Sequence, residues 1–456
     1  MKKSTIIQIV IIIVFIVVLG ILVKITLGTF ETNNMQQNAN QDMQQPNGNM
    51  QGNMGGSSSS AEYSGVTEIT EDTTIESGEY ISEKEDENAI LVNGDIDAEL
   101  SNIEVSKTGD SDGGDNTSFY GTNSAIIAKS GANLTLKNVN ITTDATGANG
   151  VFSYGGSATT NNSTSDGTTV TISDSTITTK KDNSGGIMTT GGGIMNASNL
   201  TVNTSGTSSA AIRTDRGGGT VTVNGGTYTT TGQGSPTVYS TANVTVNNAN
   251  LIAKASEGIV IEGKNSVVIN NCNLTDSNTK LNGQSTTYKN IFLYQSMSGD
   301  AADGNSEFTA NDSVITTNNG DSFYVTNTTA TINLTNNTII NNDSTGNFLR
   351  VQKDSWGMSG LNGGIVTLVM NTQSVAGNIV IDSISTLDMT MKSNSYYEGT
   401  INADNSAKNI VLKLDESSKI KLTGDSYVTS LEDDDSSYSN IDFNGYKLYV
   451  NGTAIN

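Results

Sequence analysis

Three charged side chains, Arg213, Asp215 and Arg216, stand almost together, and Glu257, Glu262 and Lys264 follow about two repeat units later. Two carboxyl groups facing a common space can act as general acid and general base on a glycosidic bond. If the repeat described below holds, Asp215 and Glu262 lie two rungs of about 4.8 Å apart, roughly 9.6 Å, near the upper end of the range for an inverting pair. Arg213 stands beside them as a weaker catalytic candidate. The competing expectation is structural: these charges pair with one another across the intervening rung. A second constellation, Gly-Asp-Ser-Asp-Gly-Gly-Asp, places Asp110, Asp112 and Asp115 in a glycine-rich loop with alternating oxygen ligands for Ca²⁺, without the distal Glu of an EF-hand. Asp433 to Asp435 form a weaker candidate, and no cofactor is required by any motif. The chain has no His and a single Cys, Cys272, so neither a Cys/His nucleophile pair nor an internal disulfide can be built.

The elements that would carry these residues are strands. One signature recurs: apolar, any, apolar, four small or polar residues, apolar. Copies are Leu134/Leu136/Ile141, Val170/Ile172/Ile177, Val221/Val223/Tyr228, Val244/Val246/Leu251, Val267/Ile269/Leu274, Phe308/Ala310/Ile315 and Ile332/Leu334/Ile339, with a weaker one at Met389/Met391/Tyr396. The period of two puts the first pair on one face of a strand, and the Asn-, Ser- and Gly-rich interval suits a tight corner. A second signature, a small residue before a core residue, recurs at Ile126, Val151, Ile187, Ile212, Val238, Ile259, Ile291, Phe323 and Phe348, at intervals of 21 to 36 residues. A minimum length with variable excess describes a closed coil of three short strands whose loops swell at one corner. The expectation is an all-β parallel β-helix solenoid spanning residues 61–456, with Cys272 buried at a corner and a terminal cap over about 410–456.

In that register the residue after each core position forms a column: Ile127, Phe152, Met188, Arg213, Tyr239, Val260, Phe292, Tyr324 and Leu349. Two residues further lie Lys129, Tyr154, Thr190, Asp215, Thr241, Glu262, Tyr294, Thr326 and Val351. The proposed ligand-binding strip therefore comprises Phe152, Tyr154, Arg213, Asp215, Arg216, Tyr239, Glu262, Lys264, Phe292, Tyr294 and Tyr324. Its rings and charges suit an extended glycan if the strip is open. If the long loops 153–169, 276–289 and 295–307 fold over it, the same residues are packing.

Ahead of the solenoid, Ile6 to Val23 is an apolar run long enough to span a bilayer. Lys2 and Lys3 precede it, and after Lys24 the next basic residue is Lys84. Residues 1–30 are expected to form a cytoplasmic tip and transmembrane signal-anchor, a cleaved signal peptide being the alternative, and residues 31–60 an unstructured Asn/Gln/Met/Gly/Ser linker. The bulk then lies outside the cell. A formal charge of −23 argues against nucleic acid as a partner.

From about residue 90 to 400 the coil pattern resembles the right-handed parallel β-helices of the pectate-lyase-like superfamily. The overall plan is similar to adhesin-like or carbohydrate-binding-domain surface proteins of anaerobic Gram-positive bacteria. The resemblance implies a right-handed, single-stranded coil and adhesion to a polysaccharide or envelope component. Lyases of that superfamily hold Ca²⁺ with aspartates and abstract a proton with a basic residue. Arg213, Arg216 and Arg350 are the only arginines here, and no compact acidic cluster aligns around them in the sequence. A non-enzymatic binding protein is the leading expectation, with a polysaccharide lyase or glycoside hydrolase and a structural spacer as alternatives; oligomeric state stays open.

Overall fold

The computed structural model describes residues 61–456 apart from 112, 113, 115 and 158–163. The expected anchor and linker, and Asp112 and Asp115, lie outside the described residues. Among the described residues no helix is long and apolar enough to cross a membrane.

The chain is all-β and winds into long parallel sheets, the arrangement of a parallel β-helix solenoid. The first sheet stacks the strands that carry the second signature. Val151 pairs with Ile126 and Ile187, and the register continues through Ile212, Val238, Ile259, Ile291 and Phe323 to Leu349. Every interval between these positions, including the 36 residues from Val151 to Ile187, is one coil. A second sheet stacks Leu134, Val170, Met195, Val221 and Val244, and a third stacks Ile141, Ile177, Val202, Tyr228 and Leu251. The inward members of all three merge into one continuous apolar interior.

The corner between the second and third sheets explains the abundance of Asn. Asn102, Asn138, Asp174, Asn199, Asn248, Asn271, Asp312 and Asn336 all have φ between 50° and 55°. Asn and Asp are the non-glycine residues that tolerate this left-handed conformation best. Several also bond to the next coil: Asn138 Nδ2 donates to Asn102 Oδ1 at 2.7 Å, and Asn271 Nδ2 to Asn248 Oδ1 at 2.7 Å. Cys272 follows this corner, buried, its thiol donating to the Val246 carbonyl at 3.3 Å. Burial raises its pKa, which suits an inert packing residue.

Two copies of the repeat depart from the expected register. Phe348 does not continue the core column. Leu349 pairs with Phe323, so Arg350, not Leu349, follows Tyr324 in the adjacent column, and Val351 points inward. Both Phe348 and Leu349 are buried, and either satisfies an apolar pattern. In the late copy, Tyr397 and not Tyr396 is the inward residue. Its corner, with Ser393 and Asn394 both left-handed, is one residue longer: Tyr397 follows the inward Met391 by six positions, where Val375 follows Met370 by five. That extra residue shifts the following strand by one.

At the C-terminal end the coil continues through Ser430–Asp433. Leu448–Val450 then turns back as an antiparallel pair with Thr453–Ala454, the one antiparallel ladder among the described residues. Its other edge pairs with Ser426–Val428, where Tyr427 and Tyr449 stack at 4.6 Å.

Candidate functional site

The expected strip exists as a column and is largely covered: Phe152, Asp215, Glu262, Phe292 and Tyr324 are buried, and Tyr154, Arg213, Arg216, Tyr239 and Tyr294 half-buried. Phe152, Met188 and Ile127 are fully buried beneath the short turn Asn116–Tyr120, with Tyr63 and Tyr154 packed alongside. Further along, Phe292, Tyr324 and Val260 join Trp356, which is carried in by the segment between Leu349–Val351 and Ile365–Asn371. The Phe292 ring lies 5.4 Å from Trp356 and stacks on Tyr294 at 4.4 Å. Trp356 escaped the sequence reading because a single aromatic in an aperiodic loop shows no pattern of burial.

Between these two apolar patches sits the polar cluster. Arg213 donates to Asp215 Oδ2 at 3.0 Å and to the Ser208 carbonyl at 3.2 Å. Asp215 Oδ1 accepts the Arg216 backbone N–H at 3.0 Å. The Arg216 guanidinium reaches Asp300 at 2.8 Å and lies 4.0 Å over the Phe119 ring. Glu262 is enclosed by hydroxyls: Oε2 accepts from Tyr239 at 2.5 Å and Tyr294 at 3.0 Å, while Oε1 accepts from Ser296 and, at 3.5 Å, from Ser298. Ser298 donates in turn to Asp300 at 2.8 Å. Lys264 stands exposed at the following turn and joins none of these contacts.

The expected pairing of charges across an intervening coil is thus replaced by different partners. Arg213 pairs along its own strand, Arg216 pairs with a loop residue, and Glu257 lies 3.6 Å from Lys289. Asp300 supplies the acidic neighbour that sequence alignment around Arg213 and Arg216 could not locate. It enters from the loop after Lys289–Tyr294, where no repeat phase predicts position.

Burial pushes the Asp215 carboxyl up to about 7, Arg213 opposing and Asp300 reinforcing the shift. Burial also raises Glu262, against the hydrogen bonds from Ser296 and Tyr239. The tyrosines facing it, Tyr239 and Tyr294, are raised by burial and then by the Glu262 charge, so they remain donors. A carboxyl that exchanges its proton near neutrality has the chemistry of an acid/base catalyst. Its surroundings do not leave room for a sugar, because Asp215 is 5% exposed and Glu262 1% exposed. The cluster fastens the 295–304 loop onto the first sheet.

No family model matches this chain, and no curated protein or solved structure matches it either. Of the expected calcium ligands, Asp110 is described, and its Oδ1 accepts the Thr146 backbone N–H at 2.7 Å, a coil-to-coil contact. Among the described residues no group of three or more His, Cys, Asp or Glu is placed to hold a metal.

The second and third sheets contrast with the first. Their outward positions form columns in register: Thr135, Thr171, Asn196, Thr222 and Thr245 on one, Thr142, Thr178, Asn203 and Thr229 on the other. All of these are at least partly exposed. No sequence motif marked them, because Thr in a strand is read as propensity before it is read as surface.

Proposed function

We propose that this chain is a non-enzymatic, surface-displayed binding rod that contacts an extended polysaccharide or another envelope polymer through the open Thr/Asn faces of its second and third sheets. The coil is read as right-handed and single-stranded, and Ile6 to Val23 as the transmembrane anchor that holds it outside the cytoplasmic membrane, N-terminus inside. The observation that carries the proposal is the uncovered register of outward Thr and Asn, unbroken from Thr135 to Thr245 on one sheet and from Thr142 to Thr229 on the other, while most of the aromatic strip of the first sheet is buried. Threonine offers a methyl group and a hydroxyl at each rung, and rungs about 4.8 Å apart let many weak contacts act together on one polymer strand. The adhesin-like character expected from the sequence rests on this multivalence.

Residues 61–456 are to be incubated with a panel of uronates, neutral glycans and isolated envelope polymers, with and without Ca²⁺, and both capture and newly formed chain ends measured. Capture is expected, with loss in Thr178→Lys/Thr229→Lys or in Thr171→Lys/Thr222→Lys. Capture indifferent to both double variants would overturn the location, and no capture at all would favour the spacer reading. Product formation abolished by Asp215→Asn or Glu262→Gln would establish the enzyme alternative.

A further inference from the structure

The innermost column of the third sheet runs Lys107, Thr143, Thr179, Thr204, Thr230, Ala253, Asp276 and Thr317, one residue per coil. At most rungs the inward group is a hydroxyl; Thr179 and Thr204 donate theirs to the carbonyls of Ser184 and Ser209. Asp276 puts a carboxyl in this place, fully buried; the Asn278 backbone N–H is directed at it, but neither oxygen receives a well-formed hydrogen bond and no side chain donates to it.

Two further acceptors belong to the same corner. Asn278 is fully buried; its Nδ2 donates to the Lys289 carbonyl at 3.0 Å and its Oδ1 is unpartnered. Asn290, also fully buried, donates through Nδ2 to Thr317 Oγ1 at 3.0 Å and to the Thr316 carbonyl at 3.2 Å, and its Oδ1 is likewise unpartnered. Thr317 is the register partner of Asp276, which ties Asn290 to the Asp276 rung. Because both amide nitrogens already donate, turning either amide over would break good bonds without satisfying the oxygens. The small residues of the rung below admit these side chains: Ala253 lies under Asp276, and Asn290 Oδ1 occupies the place a Cβ on Gly258 would take, 2.2 Å from it.

Charge points the same way. Glu257 and Lys289 form a buried pair at 3.6 Å, and Glu257 also accepts from Ser256 at 2.7 Å. Lys289 donates to Ser285 Oγ and the Thr287 carbonyl. The one ammonium is therefore matched by Glu257, so an ionised Asp276 has no counter-charge, and burial pushes its carboxyl up to about 9 when nothing else balances it. An unpaired buried carboxylate is costly, and so is a set of buried acceptors with no donor. A proton on Asp276 neutralises the carboxyl and supplies one donor, whereas a small cation would balance the charge and give the unpartnered oxygens of all three side chains a common partner.

We infer that Asp276, Asn278 and Asn290 form an internal binding site for a dehydrated monovalent cation of sodium size, held inside the corner of the coil by oxygen ligands. It acts as a structural ion that closes the coil where the Thr ladder is interrupted.

Thermal unfolding of residues 61–456 in NaCl and in choline chloride at equal ionic strength tests the site, since the large organic cation cannot enter. The expected result is a Tm higher in NaCl by about 3 °C or more, saturating with concentration, and a difference absent in Asp276→Asn, which removes the charge while keeping the shape. A wild-type Tm equal in the two salts from pH 5 to pH 8 would overturn the site and leave Asp276 a protonated acid. So would a sodium effect that persists in Asp276→Asn. The wild-type comparison decides the matter even if the variant does not fold. An Asp110→Asn control must keep the sodium effect, because loss there would place the ion at the acidic loop instead.

Discussion

Glu262 shows how a buried carboxylate is held by the fold. Its oxygens gather hydroxyls from Tyr239, Tyr294, Ser296 and Ser298, which belong to two coils and the covering loop. Glu262→Ala leaves these donors facing a cavity, and the expected cost is about 3 to 5 kcal/mol in a urea denaturation series, with Glu262→Gln milder. Asp215 predicts a pH dependence. Its folded pKa of about 7 lies above the unfolded value near 3.9, so its contribution is complete below the unfolded value and is lost as pH rises through about 7. Stability of the wild type should therefore fall between pH 4 and pH 7 with a slope approaching about 1.4 kcal/mol per pH unit, and Asp215→Asn should flatten that slope. At this scale the sequence was only partly legible. Arg213, Asp215 and Glu262 could be placed on one face by counting, but Asp300 could not, because a loop residue has no phase. Asp276 was passed over for the opposite reason: it sits in perfect phase, and only the burial of its neighbours makes a carboxyl there unusual.

Among the elements, the strands follow directly from alternation, and the corners follow from Asn and Asp in the left-handed region at almost every turn. The register slipped where chemistry allowed two answers. Phe348 and Leu349 are both apolar and both buried, and the corner at Ser393 and Asn394 holds one residue more than its predecessors. The covering segments carry the least sequence signal and the most consequence, since they convert an apparent aromatic binding strip into interior. Trp356 is the anchor of one of them, packed on Phe292 and Tyr294 at 5.4 and 5.3 Å. Trp356→Ala should cost about 3 to 5 kcal/mol of stability if the loop folds as a unit with the rod. Limited proteolysis should then show new cleavage near Met358 and Leu361, which are already exposed at the tip. An unchanged digestion pattern would mean that the loop is held by other contacts.

For the whole molecule, excess length at the two corners flanking the first sheet, rather than at one corner as the sequence suggests, explains why coil intervals range so widely without breaking the stack. Loops leave and re-enter at the first sheet, so that sheet becomes covered while the other two stay open and repetitive. The proposed recognition of a polymer along the coil rests on that openness. All of this depends on outward side chains of successive coils standing directly above one another. Spin labels at Thr171 and Thr222, which are separated by the Asn196 rung, measure that spacing by dipolar broadening. Backbones two rungs apart, about 10 Å, should give strong broadening in the doubly labelled protein and none in either single mutant. A label separation beyond about 20 Å would contradict the stacked register, and with it the open Thr/Asn faces and the largely covered strip.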